Sequence, residues 1–162
     1  MMYPSDDTKS ATEKAMALLL HKDRTRHELK SRLEAAGFDS ESVEFAISYV
    51  DSFNYLDDLR YAETYIRYHF RSRSRREITE KLKSKGVSDE DIREGFDSVL
   101  AAKREEGADT DPEIESIEAL LNKRLKGRAL SELTYEEKQK QMRYLSGKGY
   151  PADKIRKMIL LD

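Results

Sequence analysis

The chain has 162 residues, enough for one ordinary domain or for several very small ones packed together. Its 30 Lys and Arg residues nearly balance its 32 Asp and Glu residues, so 38% of the chain is charged while the formal net charge is only −2. This balance excludes a generally basic nucleic-acid binder and favours solvated amphipathic helices, so any attraction to phosphate must come from a local cluster.

The predicted elements begin after an N-terminal tail, residues 1–9, which we expect to be disordered. A capping box, Ser10 to Glu13, predicts the start of a first helix. A second helix is predicted up to Ala36, and a third begins near Ser40 with Val43, Ala46, Ile47 and Val50 at the spacing of a packed face.

The same order of elements recurs twice. In the second unit Asp57 or Asp58 is expected to cap a helix, a second helix carries Ile78 and Leu82, and a third carries Ile92, Phe96 and Val99. In the third unit Asp111 and Pro112 predict an N-cap and a first helical position. Its three helices present apolar residues at helical spacing: Ile114, Ile117, Leu120 and Leu121; Met142 and Leu145; Ile155, Met158 and Ile159.

A short pattern marks the second helix of every unit. It reads Ser/Thr-x-x-Glu, which is a capping box, and ends in Gly plus an apolar residue, which is typical of a left-handed helix stop. The pattern starts at Thr25, Ser74 and Thr134 and ends at Gly37, Gly86 and Gly149, with three extra residues in the last copy. We predict an all-α fold of nine helices in three tandem, helix-turn-helix-like repeats, 10–56, 57–107 and 108–162, stacked into an elongated body.

Several features bear on the environment of the protein. Cysteine is absent, so neither a disulfide framework nor thiol chemistry is available. The acidic N-terminus lacks the layout of a signal peptide. The longest apolar run, Ala15 to Leu20, is far shorter than the ~20 residues that span a bilayer. We predict a cytoplasmic monomer that does not bind membranes.

No motif indicates catalysis. The histidines His21, His27 and His69 do not have the spacing of metal ligands. Asp57 and Asp58 could hold Mg²⁺, but a helix N-terminus explains aspartate there without a metal. We predict no catalytic residue, no metal and no cofactor, and a nuclease or hydrolase ranks behind every binding function.

A basic cluster is the strongest candidate for a binding surface. Between residues 60 and 85, the sequence contains nine basic residues and only three acidic ones, with aromatic residues among them. Such a cluster attracts phosphates or an acidic protein surface. The candidate residues are Arg60, Arg67, Arg71, Arg73, Arg75, Arg76, Lys81, Lys83 and Lys85, with Lys154, Arg156 and Lys157 as secondary contacts.

Sequence-specific DNA reading is disfavoured by the charge of the third helices. In a helix-turn-helix reader this helix enters the major groove between phosphates. The third helix of the first unit contains Glu41, Glu44 and Asp51 and no Lys or Arg, and that of the second unit has Arg93 as its only basic residue before residue 100. Only the last unit has a basic third helix.

The chain resembles the RecX family of bacterial regulators of the RecA recombinase. The resemblance lies in Tyr55–Ala62, in Glu80–Val87, and in the run from Glu28 and Leu29 to Gly37. The chain departs from the family at Ser72 to Ser74, where a glycine is usual. It also has Gln141 where the earlier units have Leu29 and Ile78.

The resemblance implies a non-catalytic partner of the RecA–single-stranded DNA filament. Such a protein reduces ATP hydrolysis, strand exchange and the coprotease activity of the filament, in DNA repair and the SOS response. The basic cluster would meet acidic protein surface or the filament's DNA, with weak direct DNA binding. The alternative is a sequence-independent nucleic-acid-binding module that competes with RecA for DNA.

Overall fold

The computed structural model describes residues 5–161, and over that range it forms nine α-helices, one 3₁₀ turn and no strand. The predicted all-α fold of three three-helix repeats is therefore confirmed. The helices are α1 (Asp6–His21), α2 (Arg26–Ala35), α3 (Ser40–Ser52), α4 (Asp58–His69), α5 (Arg75–Ser84), α6 (Asp89–Glu105), α7 (Pro112–Leu125), α8 (Tyr135–Gly147) and α9 (Ala152–Ile159), with the 3₁₀ turn at Leu130–Glu132.

The first helix begins earlier than predicted. Its N-cap is Ser5, whose side chain accepts a hydrogen bond from the Thr8 amide, so the predicted start at Ser10 is wrong. Residues 5–9 of the predicted tail thus belong to the cap and first turn of α1, and residues 1–4 lie outside the described part. The acidic residues Asp6 and Asp7 favour this start, because carboxylates stabilise the positive end of a helix.

The predicted caps of the second helices are present. Thr25 and Thr134 each form the complete capping box of α2 and α8, and Ser74 accepts a hydrogen bond from the Glu77 amide at 3.1 Å. The stops at the other end have the expected left-handed backbone, with φ of 92° at Gly37, 81° at Gly86 and 93° at Gly149. Glycine reaches this region without the steric cost that other residues incur.

The described chain divides into two compact units, which do not coincide with the three repeats. The first holds the residues up to Thr64 together with Leu82–Gly95, and the second holds Tyr65–Lys81 together with Phe96 onward. In the first unit α1, α2 and α3 pack together. Their shared core consists of Ala11, Ala15, Leu29, Leu33, Val43, Ala46, Ile47, Val50 and Leu56.

In the second unit α9 packs against both α7 and α8. The core there consists of Ile117, Leu121, Leu145, Tyr150, Ile155 and Ile159. The polar Gln141 lies near this core and is 9% exposed. Its side-chain oxygen accepts a hydrogen bond from Arg124 Nε at 2.8 Å, which explains how the third repeat tolerates an amide where the other two have Leu29 and Ile78.

The N-cap of a second helix also binds the following repeat, and each compact unit contains one such joint. In the first unit, Thr25 Oγ1 donates to the Lys85 carbonyl at 2.6 Å. In the second unit, Ser74 Oγ donates to the Lys148 carbonyl at 2.7 Å. Both carbonyls belong to the residue just before the left-handed glycine. The hydroxyl therefore accepts a bond from its own helix and donates one to the next repeat.

A carboxylate completes each joint. The amide of Arg26 donates to Asp58 Oδ1 at 2.9 Å, and the amide of Arg75 donates to Glu113 Oε1 at 2.7 Å. Both amides are the first of their helix and have no partner within it. The joint thus satisfies backbone groups of one repeat with side chains of the next.

The glycine of each joint lies directly against the facing helix start. A Cβ placed on Gly86 would be 2.2 Å from His27 Cβ, and one placed on Gly149 would be 2.7 Å from Arg76 Nε. Gly37 has the same left-handed backbone, but a Cβ there would meet no atom within 4 Å. Gly86 and Gly149 are therefore required both by backbone conformation and by contact, and Gly37 by conformation alone.

We predict that Gly86→Ala destabilises the protein more than Gly37→Ala. Gly37→Ala should cost about 1–2 kcal/mol, the penalty for a left-handed alanine. Gly86→Ala adds the collision with His27 to the same penalty. Urea denaturation followed by circular dichroism measures both, and equal midpoints for the two variants would contradict the joint.

We predict that Leu82→Ala lowers the free energy of unfolding by about 2–5 kcal/mol, because Leu82 is fully buried and its truncation leaves a cavity. Leu20→Ala is the matched control, because Leu20 is 83% exposed. Chemical denaturation of the two variants in parallel should separate them clearly. Similar stabilities would mean that Leu82 does not belong to the core.

Candidate functional site

The basic residues predicted as a cluster are distributed over both compact units. Arg60, Lys83 and Lys85 belong to the first unit. The residues in the second unit are Arg67, Arg71, Arg73, Arg75, Arg76 and Lys81. Each unit presents its own subset, and the partners of each side chain decide which of them can contact another molecule.

In the first unit, Lys85 is used by the fold. Its Nζ lies 3.0 Å from Glu28 Oε1, in a pair that is only about a quarter exposed, and lies over the Tyr61 ring. Burial disfavours the charged ammonium, but the hydrogen bonds to Glu28 and Tyr61 outweigh it and raise the pKa of Lys85. Lys83 forms a more exposed pair with Asp89 at 3.0 Å. Arg60 is exposed.

In the second unit, the arginines around the start of α5 also have partners. Arg73 Nη1 donates to the Tyr65 hydroxyl at 3.3 Å, and the Arg75 guanidinium lies 4.3 Å from the centre of the Phe96 ring. Arg76 pairs with Glu80 at 3.7 Å. The sequence has no acid between Arg71 and Glu77, yet each of these three arginines has a contact within the chain.

Arg67 and Arg71 differ from these residues. Both are exposed, and neither forms an ion pair within 4 Å in the described part of the chain. The Arg71 guanidinium lies 5.6 Å from the centre of the Phe70 ring, a contact that leaves its donors available to a ligand. Lys81 is exposed as well, but it takes part in an interaction with the rest of the chain.

The three secondary candidates have different surroundings. Lys154 is 27% exposed, and its Nζ bridges Asp111 Oδ2 at 2.9 Å and Glu113 Oε2 at 2.7 Å. Burial disfavours its charge, but the hydrogen bonds to Glu113 and Asp111 outweigh that effect and raise its pKa. Arg156 and Lys157 on α9 are exposed. Of these three residues, Lys154 is held within the chain, and Arg156 and Lys157 lie on the surface.

A small cavity lies beside this ion-pair network. It has a volume of about 60 Å³, and its lining includes Arg73, Arg75, Phe96, Glu113 and Lys154. The two oxygens of Glu113 are already engaged by the Arg75 amide and the Lys154 ammonium. Lys154 is therefore paired with Glu113, while the guanidinium groups of Arg73 and Arg75 contact Tyr65 and Phe96. The cavity has room for only a few atoms.

The two aspartates considered as a magnesium site both serve the backbone. Asp57 Oδ1 accepts from the Arg60 amide at 2.9 Å and so caps α4, while Asp58 accepts from the Arg26 amide at the joint. Burial raises the pKa of Asp58, and the nearby Asp91 adds to the effect. Within residues 5–161, no group of three or more His, Cys, Asp or Glu side chains is arranged to hold a metal ion.

Two of the three histidines have local contacts, and His21 is exposed at the end of α1. His69 packs against the rings of Tyr65 and Tyr68, and burial together with the positive charge of Arg73 lowers its pKa. His27 lies against Gly86 at the joint of the first unit. Among the helices described, none is long and apolar enough to cross a membrane.

The sequence did not reveal the second role of Thr25 and Ser74. Their positions in a capping box were predicted, but the hydrogen bonds to Lys85 and Lys148 span 60 and 74 residues. The available signal was the repetition itself, because both hydroxyls and both glycines recur at the same place in their repeats.

These features define an all-α helical-repeat protein with exposed cationic side chains. The chain belongs to the RecX family, because the models of that family's first, second and third three-helix domains match it in order. The matched residues are 11–49, 57–95 and 111–159.

Relatives matched over most of their length support the assignment. The chain is 34% identical to the regulatory protein RecX of Vibrio campbellii over 149 residues, which are 91% of this chain and 88% of that protein. It is 32% identical to the regulatory protein RecX of Vibrio parahaemolyticus with the same coverage. The family is thus one of proteins named as regulatory.

Solved structures share the fold. A crystal structure of RecX from Lactobacillus salivarius superposes with a TM-score of 0.72 at 22% identity, covering 95% of both chains. A crystal structure of a regulatory protein RecX superposes with a TM-score of 0.76 at 20% identity, covering 97% of this chain and 73% of that one. At these identities the likeness establishes the fold alone.

We predict that Lys154→Ala destabilises the protein by about 1.5–3 kcal/mol, the range for hydrogen bonds to charged groups, because it leaves Asp111 and Glu113 without their shared cation. Lys157→Ala, an exposed lysine on the same helix, should change stability by less than about 0.5 kcal/mol. Thermal unfolding at neutral pH compares them. Equal stabilities would mean that Lys154 is not structural.

Proposed function

We propose that this chain is a non-catalytic regulator that binds the RecA–single-stranded DNA filament in the cytoplasm and inhibits the filament's activities. The observation that carries the proposal is the ordered match of all three RecX three-helix domains. The sequence resembles the RecX family of RecA regulators, and this resemblance supplies RecA as the partner. The side chains described above supply the means, which is binding by charge and shape.

We propose Arg67 and Arg71 as the principal filament contacts of the basic cluster. Both guanidinium groups are exposed and keep their donors free for carboxylates or phosphates, which they can hold in bidentate pairs. Arg60, Arg156 and Lys157 are exposed cations that add to the attraction. Arg73, Arg75 and Lys85 act mainly by maintaining the fold around these contacts, since each has a partner of its own. Arg76 is exposed and forms only a weak surface pair with Glu80, so it adds to the attraction.

The alternative is a module that binds single-stranded nucleic acid without reading sequence. The same two exposed arginines favour it, because guanidinium groups also bind phosphates. The alternatives differ in salt response. A phosphate-driven binder loses affinity steeply with salt, by a slope of about −0.7 per neutralised phosphate on single strands. A protein-directed binder remains on the filament at salt concentrations that remove it from bare DNA.

The proposal is tested by titrating the protein into a RecA ATPase assay on single-stranded DNA and measuring binding to the bare strand in the same buffer. Inhibition at protein concentrations well below those that coat bare DNA supports a filament-directed regulator. Inhibition only where the bare strand is also bound favours the alternative. Absence of inhibition contradicts the proposal.

We predict that the double variant Arg67→Glu/Arg71→Glu weakens inhibition of the RecA ATPase about tenfold or more, because two free cations become anions against an acidic or phosphate surface. Lys9→Glu/Lys14→Glu makes the same charge change at exposed positions of α1. The control should inhibit like the wild type, with the helicity of both variants checked by circular dichroism. Equal inhibition by all three proteins would remove Arg67 and Arg71 from the interface.

A further inference from the structure

Four aromatic side chains form an exposed stripe along α3 and the turn that follows it. We call Phe45, Tyr49, Phe53 and Tyr55 the aromatic stripe. Each is between 42% and 53% exposed. Their rings contact one another in sequence, with centroid separations of 6.5, 5.2 and 5.8 Å. A contiguous exposed patch of large apolar groups on a protein usually marks a place where another molecule binds.

The repeats themselves show that the fold does not need these rings. Aligned on the left-handed glycines, Phe45, Tyr49 and Phe53 of the first repeat correspond to Glu94, Ser98 and Ala102 of the second. The two sets are exposed in the same way, apart from the partial cover that the rings give each other. The buried positions between them are apolar in both repeats. The stripe is therefore an addition to the first repeat, not a requirement of a third helix.

The charge around the stripe selects the chemistry of its occupant. Helix α3 contains Glu41, Glu44 and Asp51 and no Lys or Arg. Glu41 lies one helical turn before Phe45, on the line that the stripe follows. Asp51 is occupied by Arg26 at 2.7 Å, whereas Glu41 and Glu44 form no ion pair within the described residues. A phosphate backbone would be repelled here, and a cation would be attracted.

Aromatic rings and carboxylates together suit a protein segment that carries arginine or lysine beside apolar side chains. A guanidinium group binds the face of an aromatic ring and pairs with a neighbouring carboxylate. The chain itself contains such ring contacts, with Arg124 3.5 Å from the centre of the Tyr144 ring and Arg75 above Phe96. In those contacts the cation comes from the same chain. At the stripe the acidic flank calls for a cation from a partner.

We propose that the aromatic stripe, with Glu41 and Glu44, is a second docking surface that binds a basic amphipathic segment of a protein partner. It differs in chemistry from the basic cluster, so one chain can hold a partner through surfaces of opposite charge. The stripe's binding chemistry is independent of the proposed function. Its use on the RecA filament rests on that function.

The variant Tyr49→Ser/Phe53→Ala tests the proposal, because it installs the residues that the second repeat has at the same positions. The probe is a labelled synthetic amphipathic helix that presents Arg and Leu, and its control is the same helix with Glu in place of Arg. Wild type should bind the Arg helix and not the Glu helix, and the variant should bind about tenfold or more weakly, as expected for loss of aromatic anchors. Glu41→Gln/Glu44→Gln should weaken binding too, while the control Glu90→Gln/Glu94→Gln on α6 should not.

A parallel measurement uses RecA filaments on single-stranded DNA and the bare strand. Weaker binding of Tyr49→Ser/Phe53→Ala to the filament, with bare-strand binding unchanged, supports use of the stripe on the filament. If wild type ignores the filament but binds the Arg helix through the stripe, the proposed function fails and the docking surface stands. Equal binding of the Arg helix by the folded variant and wild type overturns the proposal. A stripe-dependent loss of bare-strand binding, or of self-association in sedimentation, also overturns it by assigning the rings to bases or to a second copy.

Discussion

The hydroxyl at the start of a repeat's second helix is the group on which the arrangement of neighbouring repeats depends. Thr25 and Ser74 each accept a hydrogen bond from their own helix and donate one to the carbonyl before the next left-handed glycine. One hydroxyl thus satisfies an otherwise unpaired amide in its own repeat and an otherwise unpaired carbonyl in the next. Alanine or valine at these positions would lose both bonds, because neither has a hydroxyl. The joint explains why Ser or Thr and Gly recur together.

The joint also decides which basic residues are available. Arg75 and Arg76 follow Ser74 directly, so their backbone and side chains lie where the next repeat docks. Lys85 supplies the carbonyl of the other joint, and its ammonium is bound to Glu28. A high density of positive charge along the sequence therefore reflects two demands, holding repeats together and leaving cations exposed. Arg67 and Arg71 precede the joint and satisfy only the second.

Much of the fold was predictable because its signals are local. The caps of the second helices, the left-handed glycines and the spacing of Val43, Ala46, Ile47 and Val50 act within one helix or turn, and the structure has them where the sequence placed them. The start of α1 was missed because two N-terminal signals compete there. Ser10 has a glutamate three residues later, but Ser5 is followed at once by Asp6 and Asp7, and the longer helix includes Ser10 in its interior.

The candidate site was less predictable for the same physical reason. Whether an arginine is free depends on side chains distant in sequence, such as Glu113 beside the Arg75 amide or Tyr65 beside Arg73. The sequence gives the number of these charges but does not show which of them are paired in the fold. The aromatic stripe illustrates the converse, since the four-residue spacing of Phe45, Tyr49 and Phe53 is visible in the sequence. The exposure of its rings is visible only in the structure, where the rings can be compared with the same positions of another repeat.

The first and third repeats each contain one half of the joint without the other half. The first repeat presents a left-handed glycine, Gly37, with open space above it, and the third presents the hydroxyl of Thr134 in an exposed capping box. Each is one complementary half of the contact made twice elsewhere. The contact involves only adjacent repeats and has a fixed direction, so a repeat can be gained or lost without redesigning the others. Evolution or protein engineering can then change the number of repeats by one repeat at a time.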